Sequence, residues 1–166
     1  MIIGLGGRFC SGKSTVASEL VKRNKKIHVI NFADKLKEIA TDLFGMTVKD
    51  RTLLQKLGVK MREIRKDVWI DYVFKECEKH KISIIADVRF PNEVSRIKAE
   101  NGKTIFIDRL SKDRLSTYKT LYKKLPTKKQ LNHPSEKIRK SLFDVVIKND
   151  IPLKELIEKI EKEIYE

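Results

Sequence analysis

Apolar residues along this chain fall into short continuous runs, separated by longer stretches in which they recur at helical spacing. The continuous runs predict five β-strands, at residues 2–5, 27–32, 82–86, 104–107 and 144–147. Short runs that are apolar throughout are typical of strands buried on both faces of a parallel sheet.

Between the strands, apolar residues three and four positions apart predict helices that pack one face on the sheet. Such helices follow the first strand, cover residues 35–44, and fill residues 51–80 without an intervening strand. Pro91, Pro134 and Pro152 can each open a further helix. Residues 109–132 show no clear period. This alternation predicts a three-layer α/β/α fold in one domain of 166 residues, with a five-stranded parallel sheet.

The composition fits a soluble globular protein, with 40% hydrophobic residues and a high charged fraction of 36%. No apolar run approaches the ~20 residues that a membrane span needs, and the first residues lead directly into a strand. We therefore expect a cytoplasmic protein with no membrane partner, located in the host cytoplasm if a virus encodes it. Cys10 and Cys77 fit neither a disulfide framework nor a zinc site. The sequence is compatible with a homodimer.

Positive charge is concentrated in one part of the chain. The formal net charge is +14, and residues 109–140 contribute +9 of it. This excess favours polyanionic partners, which are nucleic acid, anionic lipid or phosphorylated small molecules. The net charge alone does not distinguish between these three classes of partner.

Residues 7–14 match the pattern G-x-x-x-x-G-K-[ST] between a predicted strand and a predicted helix. Glycines let the backbone approach phosphate oxygens closely, and N–H groups at the helix N-terminus add partial positive charge. Lys13 adds a full charge, and the Ser14 hydroxyl can bind Mg²⁺. The motif predicts an ATP·Mg²⁺ site made of Gly7, Arg8, Phe9, Cys10, Ser11, Gly12, Lys13, Ser14 and Thr15.

A second metal ligand is predicted where the strand at residues 82–86 ends. Asp87 follows this strand as the Walker-B carboxylate does in P-loop enzymes, where it holds Mg²⁺ directly or through water. The alternative is an aspartate that caps the turn before Pro91. A guanine-specific GTPase is disfavoured, because residues 147–150 lack the N-K-x-D spacing that reads the base.

Several further segments form an ordered series along most of the chain. They read F-A-D-K-L-K at 32–37, R-x-x-L-Q-x-L-G at 51–58, Trp at 69, D-V-R-F-P-N-E at 87–93, H-P-S-E at 133–136 and N-D at 149–150. In this order they resemble the phage-type deoxynucleoside monophosphate kinases, a group of P-loop kinases. The resemblance implies phosphoryl transfer from ATP to a (deoxy)nucleoside monophosphate. It also implies a helical acceptor-binding insert near residues 33–80 and a basic lid near residues 109–133.

The acceptor contacts implied by the resemblance are Arg51, Trp69, Asp87, Arg89 and Glu93, and the predicted acceptor site also includes Lys35, Gln55 and Gly58. The residue types fit this chemistry, because arginines offer planar forks to a phosphate. Trp69 can stack on a base or pack in the core, and Gln55 can read a base edge or face solvent. Glu93 can contact the sugar, orient Arg89, or serve as a first-turn helix carboxylate.

Phosphoryl transfer depends mainly on positioning and on neutralising charge. Arg109 and Arg114 bracket the lid entrance and are predicted to reach the transferring phosphate, so they join Lys13, Asp87 and Arg89 as catalytic candidates. The lid lysines are expected to contribute a positive field: Lys119, Lys123, Lys124, Lys128 and Lys129. Residues 133–136 are interpreted as a helix start.

Two other functions remain as alternatives. A kinase for another phosphorylated small molecule, such as phosphomevalonate, would share the phosphate loop and the F-A-D segment. A nucleic-acid-stimulated ATPase would explain the basic segment at residues 109–140, although no nucleic-acid-binding module is visible. We therefore expect nucleotide substrates and no nucleic-acid partner.

Overall fold

The computed structural model describes residues 1–165, with the backbone alone described at residue 51. Its centre is an all-parallel five-stranded sheet with the strand order β2-β3-β1-β4-β5. The strands are β1 (Ile2–Gly6), β2 (Ile27–Ile30), β3 (Ile82–Val88), β4 (Lys103–Asp108) and β5 (Val145–Lys148). Their bounds differ from the sequence-based ones by one or two residues, and the predicted fold class is confirmed.

Helices cover both faces of this sheet. They are α1 (Lys13–Arg23), α2 (Phe32–Phe44), α3 (Arg51–Ile64), α4 (Val68–Cys77), α5 (Pro91–Ala99), α6 (Ser111–Tyr122), α7 (Lys128–Leu131) and α8 (Leu153–Tyr165), with 3₁₀ turns at Pro134–Glu136 and Lys140–Leu142. The region between β2 and β3, whose backbone the structure describes in full, contains the three helices α2, α3 and α4 and no strand, as predicted. Among the described helices, none combines the length and the apolar character needed to cross a bilayer.

Two hydrophobic clusters fix the layers. Ile84 of β3 packs in the cluster that α1 and α8 form on one face, while the next residue, Ile85, packs with α4 and α5 on the other. This alternation explains why the strands carry apolar residues on successive positions, because both faces of the sheet are covered.

The pairing of β1 with β3 shifts near its carboxyl end. Gly4 lies opposite Ile85, whereas Gly6 lies opposite Val88, so β3 contains one residue more than β1 over this stretch. An extra residue of this kind locally changes where side chains point, and it occurs here beside Asp87. The strand therefore continues past residue 86, and Asp87 lies within β3 and not after it.

Helix α6 was not recognised in the sequence. Its buried residues are Arg114 and Tyr118, which are one helical turn apart. Both pack on Phe9, with the Arg114 guanidinium 5.0 Å and the Tyr118 ring 5.4 Å from the Phe9 ring centre. A buried face made of an arginine and a tyrosine produces no apolar stripe, so the periodicity gave no helical signal.

Candidate active site

The loop between β1 and α1 has the backbone geometry of a phosphate-binding loop. Gly7 and Gly12 have φ angles of 140° and 103°, in the region that favours glycine. A Cβ atom on Gly7 would lie 2.6 Å from the Ile107 carbonyl oxygen. One on Gly12 would lie 2.5 Å from Nδ2 of Asn149, which donates to the Ser11 carbonyl at 2.7 Å. Both glycines are therefore required by conformation and by space.

Lys13 begins α1 and curls back over this loop. Its Nζ donates to the carbonyls of Gly7 and Arg8, both at 2.8 Å, and to Oγ of Ser11 at 3.2 Å. The side chain lines the cavity above the loop, yet the residue is only 6% exposed. Burial, and to a smaller extent the positive charge of the nearby Arg89, lowers the pKa of Lys13 to about 7. This ammonium group, which the motif predicts to add positive charge to the ATP site, is thus bonded to the loop itself.

A cavity of about 430 Å³, here called the loop cavity, lies over the loop and α1. Residues 9–15 line it, so seven of the nine predicted ATP-binding residues meet there. Gly7 shapes the loop beneath it, while the Arg8 side chain is exposed and lines a separate cavity beside α6. The opposite wall is formed by α6 residues, including Thr117 and Leu121. This site is large enough for a nucleotide.

Asp87 stands between the loop cavity and α2. Its two carboxylate oxygens accept from the backbone amides of Phe32 at 2.7 Å and Ala33 at 3.1 Å, at the first turn of α2. Burial raises the pKa of this carboxyl, while Arg89 and the two amides favour its ionised form. Asp87 therefore caps α2, and the expected alternative of a cap on the turn before Pro91 is wrong, because Glu93 fills that position.

A second cavity of about 430 Å³, here called the insert cavity, lies between α2, α3, α4 and the segment 133–135. Its walls are largely apolar and include Phe32, Leu54, Trp69 and Phe90. Asp87 and Arg89 line both this cavity and the loop cavity, and so does Ala33. The two spaces therefore meet at the carboxyl end of β3, where ligands commonly bind in parallel α/β folds.

Most of the predicted acceptor residues gather around the insert cavity. Gln55, Gly58, Trp69, Asp87, Arg89 and Glu93 all line it. The Trp69 indole N–H donates to the Gly58 carbonyl at 3.4 Å, and Trp69 is 4% exposed, so it belongs both to the core and to the wall. Lys35 lines neither cavity, and its Nζ pairs with Glu38 at 2.5 Å. The side chain of Arg51 lies outside the described part of the structure.

Arg62 was missed in the sequence analysis. It lines the insert cavity, donates to the Gly58 carbonyl at 3.2 Å, and lies 4.7 Å from the Phe90 ring centre. Burial lowers its pKa, and the nearby Glu93 opposes that effect. Arg62 is four residues from Gly58 and seven from Gln55, so their shared helical face was a usable signal.

The side chain of Glu136 was also missed, because residues 133–136 were interpreted only as a helix start. The segment does form a short 3₁₀ turn. Its Glu136 carboxylate accepts from the Phe9 amide of the phosphate loop at 2.8 Å and from Nη1 of Arg89 at 2.5 Å. His133, earlier in the segment, lines the insert cavity. The sequence motif was visible, but these contacts join positions far apart in the chain.

The two predicted lid arginines have different placements. Arg109 lines the loop cavity, and its Nη1 donates to the Cys10 carbonyl at 3.2 Å. Arg114 is 5% exposed, with its Nε bonded to the Arg109 carbonyl at 3.1 Å and its Nη2 to Oγ of Ser111 at 3.0 Å. It lines neither the loop cavity nor the insert cavity. The structure thus gives Arg114 a supporting position under Phe9, and not the predicted reach to phosphate.

Glu93 gives a prediction about pH and stability. Its Oε2 accepts from the amides of Arg89 at 2.7 Å and Phe90 at 3.0 Å, and burial raises its pKa from 4.5 to about 8. A carboxyl whose pKa is higher in the folded chain stabilises the fold at low pH, and this contribution is lost as the pH rises toward 8. Glu93→Gln removes the titration and keeps an acceptor oxygen.

Between pH 5 and pH 9 we therefore expect the wild type to lose about 2–4 kcal/mol more unfolding free energy than Glu93→Gln. Urea denaturation at both pH values measures the difference. Equal losses in the two proteins would show that Glu93 is already ionised at pH 5 in the folded chain.

The chain has a three-layer architecture with a glycine-rich loop between β1 and α1, and several solved kinase structures share this fold. Shikimate kinase from Aquifex aeolicus aligns with a TM-score of 0.58 and 20% identity, over 99% of this chain and 96% of that one. The protein TT1252 from Thermus thermophilus aligns with a TM-score of 0.64 and 16% identity, over 99% and 95%.

The APS kinase from Mycobacterium tuberculosis, solved in complex with AMPPNP and APS, aligns with a TM-score of 0.59 and 14% identity, over 99% of this chain and 97% of that one. No protein-family model matches the chain. No curated protein matches it significantly either. At these identities the similarity establishes the fold alone.

Proposed function

We propose that this protein is an ATP-dependent kinase that phosphorylates (deoxy)nucleoside monophosphates to diphosphates. The observation that carries the proposal is the meeting of two cavities of about 430 Å³ each at Asp87 and Arg89. With ATP in the loop cavity and the monophosphate in the insert cavity, their phosphates face each other beside these two side chains. Catalysis of phosphoryl transfer depends on positioning of this kind together with electrostatic stabilisation.

The walls of the insert cavity support a nucleotide acceptor. Trp69 and Phe90 offer aromatic surface for a base, and Gln55 offers an amide that can bond to its edge. Arg62 and Arg89 supply two guanidinium groups on the same cavity, which suits a bound phosphate. In this proposal residues 33–80 form the acceptor-binding insert, and residues 109–133 form the lid.

The residues at the loop cavity fit Mg²⁺. This ion prefers oxygen ligands and keeps several of its waters. Ser14 and Asp87 line the cavity and offer a hydroxyl and a carboxylate. Within the described residues no group of three or more His, Cys, Asp or Glu is placed to hold a metal. Bound Mg²⁺ would neutralise phosphate charge, while Lys13 and the loop amides bind and orient the phosphates.

Asp87→Asn separates the metal role from the capping role. The new NH₂ group would face one of the two α2 amides, so we expect a loss of about 1–2 kcal/mol in unfolding free energy. If Asp87 also holds Mg²⁺, the Mg²⁺ concentration for half-maximal turnover should rise about tenfold or more. Turnover measured over a Mg²⁺ titration tests this, and an unchanged Mg²⁺ dependence would leave Asp87 with the capping role alone.

The direct test of the function is an acceptor screen. The protein is incubated with ATP·Mg²⁺ and each of dAMP, dGMP, dCMP, dTMP and their ribose counterparts, and acceptor-dependent ADP is measured. We expect turnover with at least one nucleotide. Turnover with phosphomevalonate, together with no turnover on any of these nucleoside monophosphates, would overturn the proposal in favour of a phosphomevalonate kinase.

Arg109→Ala distinguishes a kinase lid from a nucleic-acid surface. Because Arg109 lines the loop cavity, we expect its loss to reduce turnover about 10²-fold, with or without added DNA. Arg139→Ala is the matched control, since Arg139 is an exposed arginine of the same basic segment and lines neither cavity. Stimulation of wild-type ATP hydrolysis by DNA, weakening steeply with salt, would instead indicate a nucleic-acid-dependent ATPase.

A further inference from the structure

One carboxylate connects three parts of the fold that are distant in sequence. Oε2 of Glu136 accepts from the Phe9 amide in the loop after β1, and Oε1 accepts from Arg89, just after β3. Glu136 itself ends the 3₁₀ turn Pro134–Glu136 that precedes β5. Its side chain is 10% exposed and that of Arg89 is 30% exposed, so the carboxylate end of the bridge is the better shielded one. Each carboxylate oxygen has a different partner, so one side chain holds both contacts.

This bridge connects residues that line the loop cavity and the insert cavity. Phe9 lines the loop cavity, and the turn that carries Glu136 contributes His133, Pro134 and Ser135 to the insert cavity. Arg89 lines both. A charge-assisted bond to a carboxylate fixes the direction of a guanidinium more firmly than a neutral bond does. The position of Arg89 in the insert cavity therefore depends on the position of the phosphate loop.

We propose that Glu136 is a positioning residue that couples the binding of the two substrates. This inference rests on the proposed kinase function. A triphosphate that orders the phosphate loop fixes the Phe9 amide, the amide holds one oxygen of Glu136, and the other oxygen holds Arg89 toward the acceptor phosphate. Since binding free energies are linked, the acceptor strengthens triphosphate binding by the same factor.

The single tryptophan of the chain allows a test without turnover. Trp69 lines the insert cavity, so its fluorescence can report acceptor binding. The dissociation constants of dAMP, dGMP, dCMP and dTMP are measured with and without saturating AMPPNP·Mg²⁺. In the wild type we expect AMPPNP to tighten binding of an accepted monophosphate at least about fivefold. In Glu136→Gln, which loses the charge, we expect this ratio to fall to within about twofold of unity.

Glu100→Gln is the matched control. Glu100 is an exposed carboxylate at the end of α5, paired with Arg96 at 3.1 Å, and its neutralisation should leave the wild-type ratio unchanged. If Glu136→Gln fails to fold by its melting curve, Glu136→Asp tests the same bridge. It keeps the charge but is one methylene too short to reach both partners, and it should also lose the coupling.

Two results would overturn the coupling: a wild-type ratio near unity, or a folded Glu136 variant with the wild-type ratio. A different result is expected if the proposed kinase function itself is wrong. If the wild type binds AMPPNP but none of the monophosphates, the acceptor class is wrong, and the coupling to that acceptor is rejected with it.

Discussion

Lys13→Ala is expected to lower the turnover number about 10³-fold, the largest effect of any single substitution at this site. Lys13 is the one ammonium group within the phosphate loop, and it lines the loop cavity that would hold the ATP phosphates. Removing one such fixed charge or donor from the transition state typically costs two to three orders of magnitude. Steady-state ADP release with saturating ATP and acceptor measures the effect.

The structure adds a condition to this test. Because Lys13 Nζ is bonded to the carbonyls of Gly7 and Arg8, its removal can alter the loop as well as the chemistry. Lys22→Ala, an exposed lysine on the same helix that pairs with Glu19, is the matched control and should keep wild-type turnover. Melting curves should show both variants folded. Turnover of Lys13→Ala within tenfold of the wild type would contradict the assignment of this loop to the ATP phosphates.

The layers of the fold could be predicted because a strand that is buried on both faces appears in the sequence as a continuous apolar run. Strand β3 is apolar at nearly every position, and its neighbours in the sheet are similar. Helix α6 has no comparable apolar pattern, since its buried face consists of Arg114 and Tyr118 packed on Phe9. A polar face can be buried when a specific partner satisfies it, and that partner is known only from the tertiary structure.

The candidate site could be predicted as far as local chemistry extends. The phosphate loop followed from glycine spacing next to a strand and a helix, and Asp87 and Arg89 from their position at a strand end. The bridge from Glu136 to Phe9 spans 127 residues of sequence, so no local pattern contained it. Lys35 shows the opposite case, because its family motif is present while its side chain pairs with Glu38.

Arg89→Lys is expected to raise the KM for the monophosphate about tenfold or more. Arg89 already gives one guanidinium nitrogen to Glu136, and the planar group leaves others available to an acceptor phosphate in the insert cavity. A lysine is a single point charge and cannot reproduce this fork toward both partners. Losing one charge-assisted hydrogen bond costs about 1.5–3 kcal/mol, which corresponds to roughly a tenfold or larger change.

The same substitution should leave the donor side nearly unchanged, and this contrast is what tests the position of Arg89. The dissociation constant of AMPPNP, measured without acceptor so that coupling plays no part, should change less than about twofold. Arg96→Lys is the matched control, because Arg96 lies on α5 with its guanidinium over the Phe74 ring, away from both cavities. If AMPPNP binding weakened while the KM for the monophosphate stayed constant, Arg89 would belong to the ATP site, and the acceptor phosphate would have to depend on Arg62.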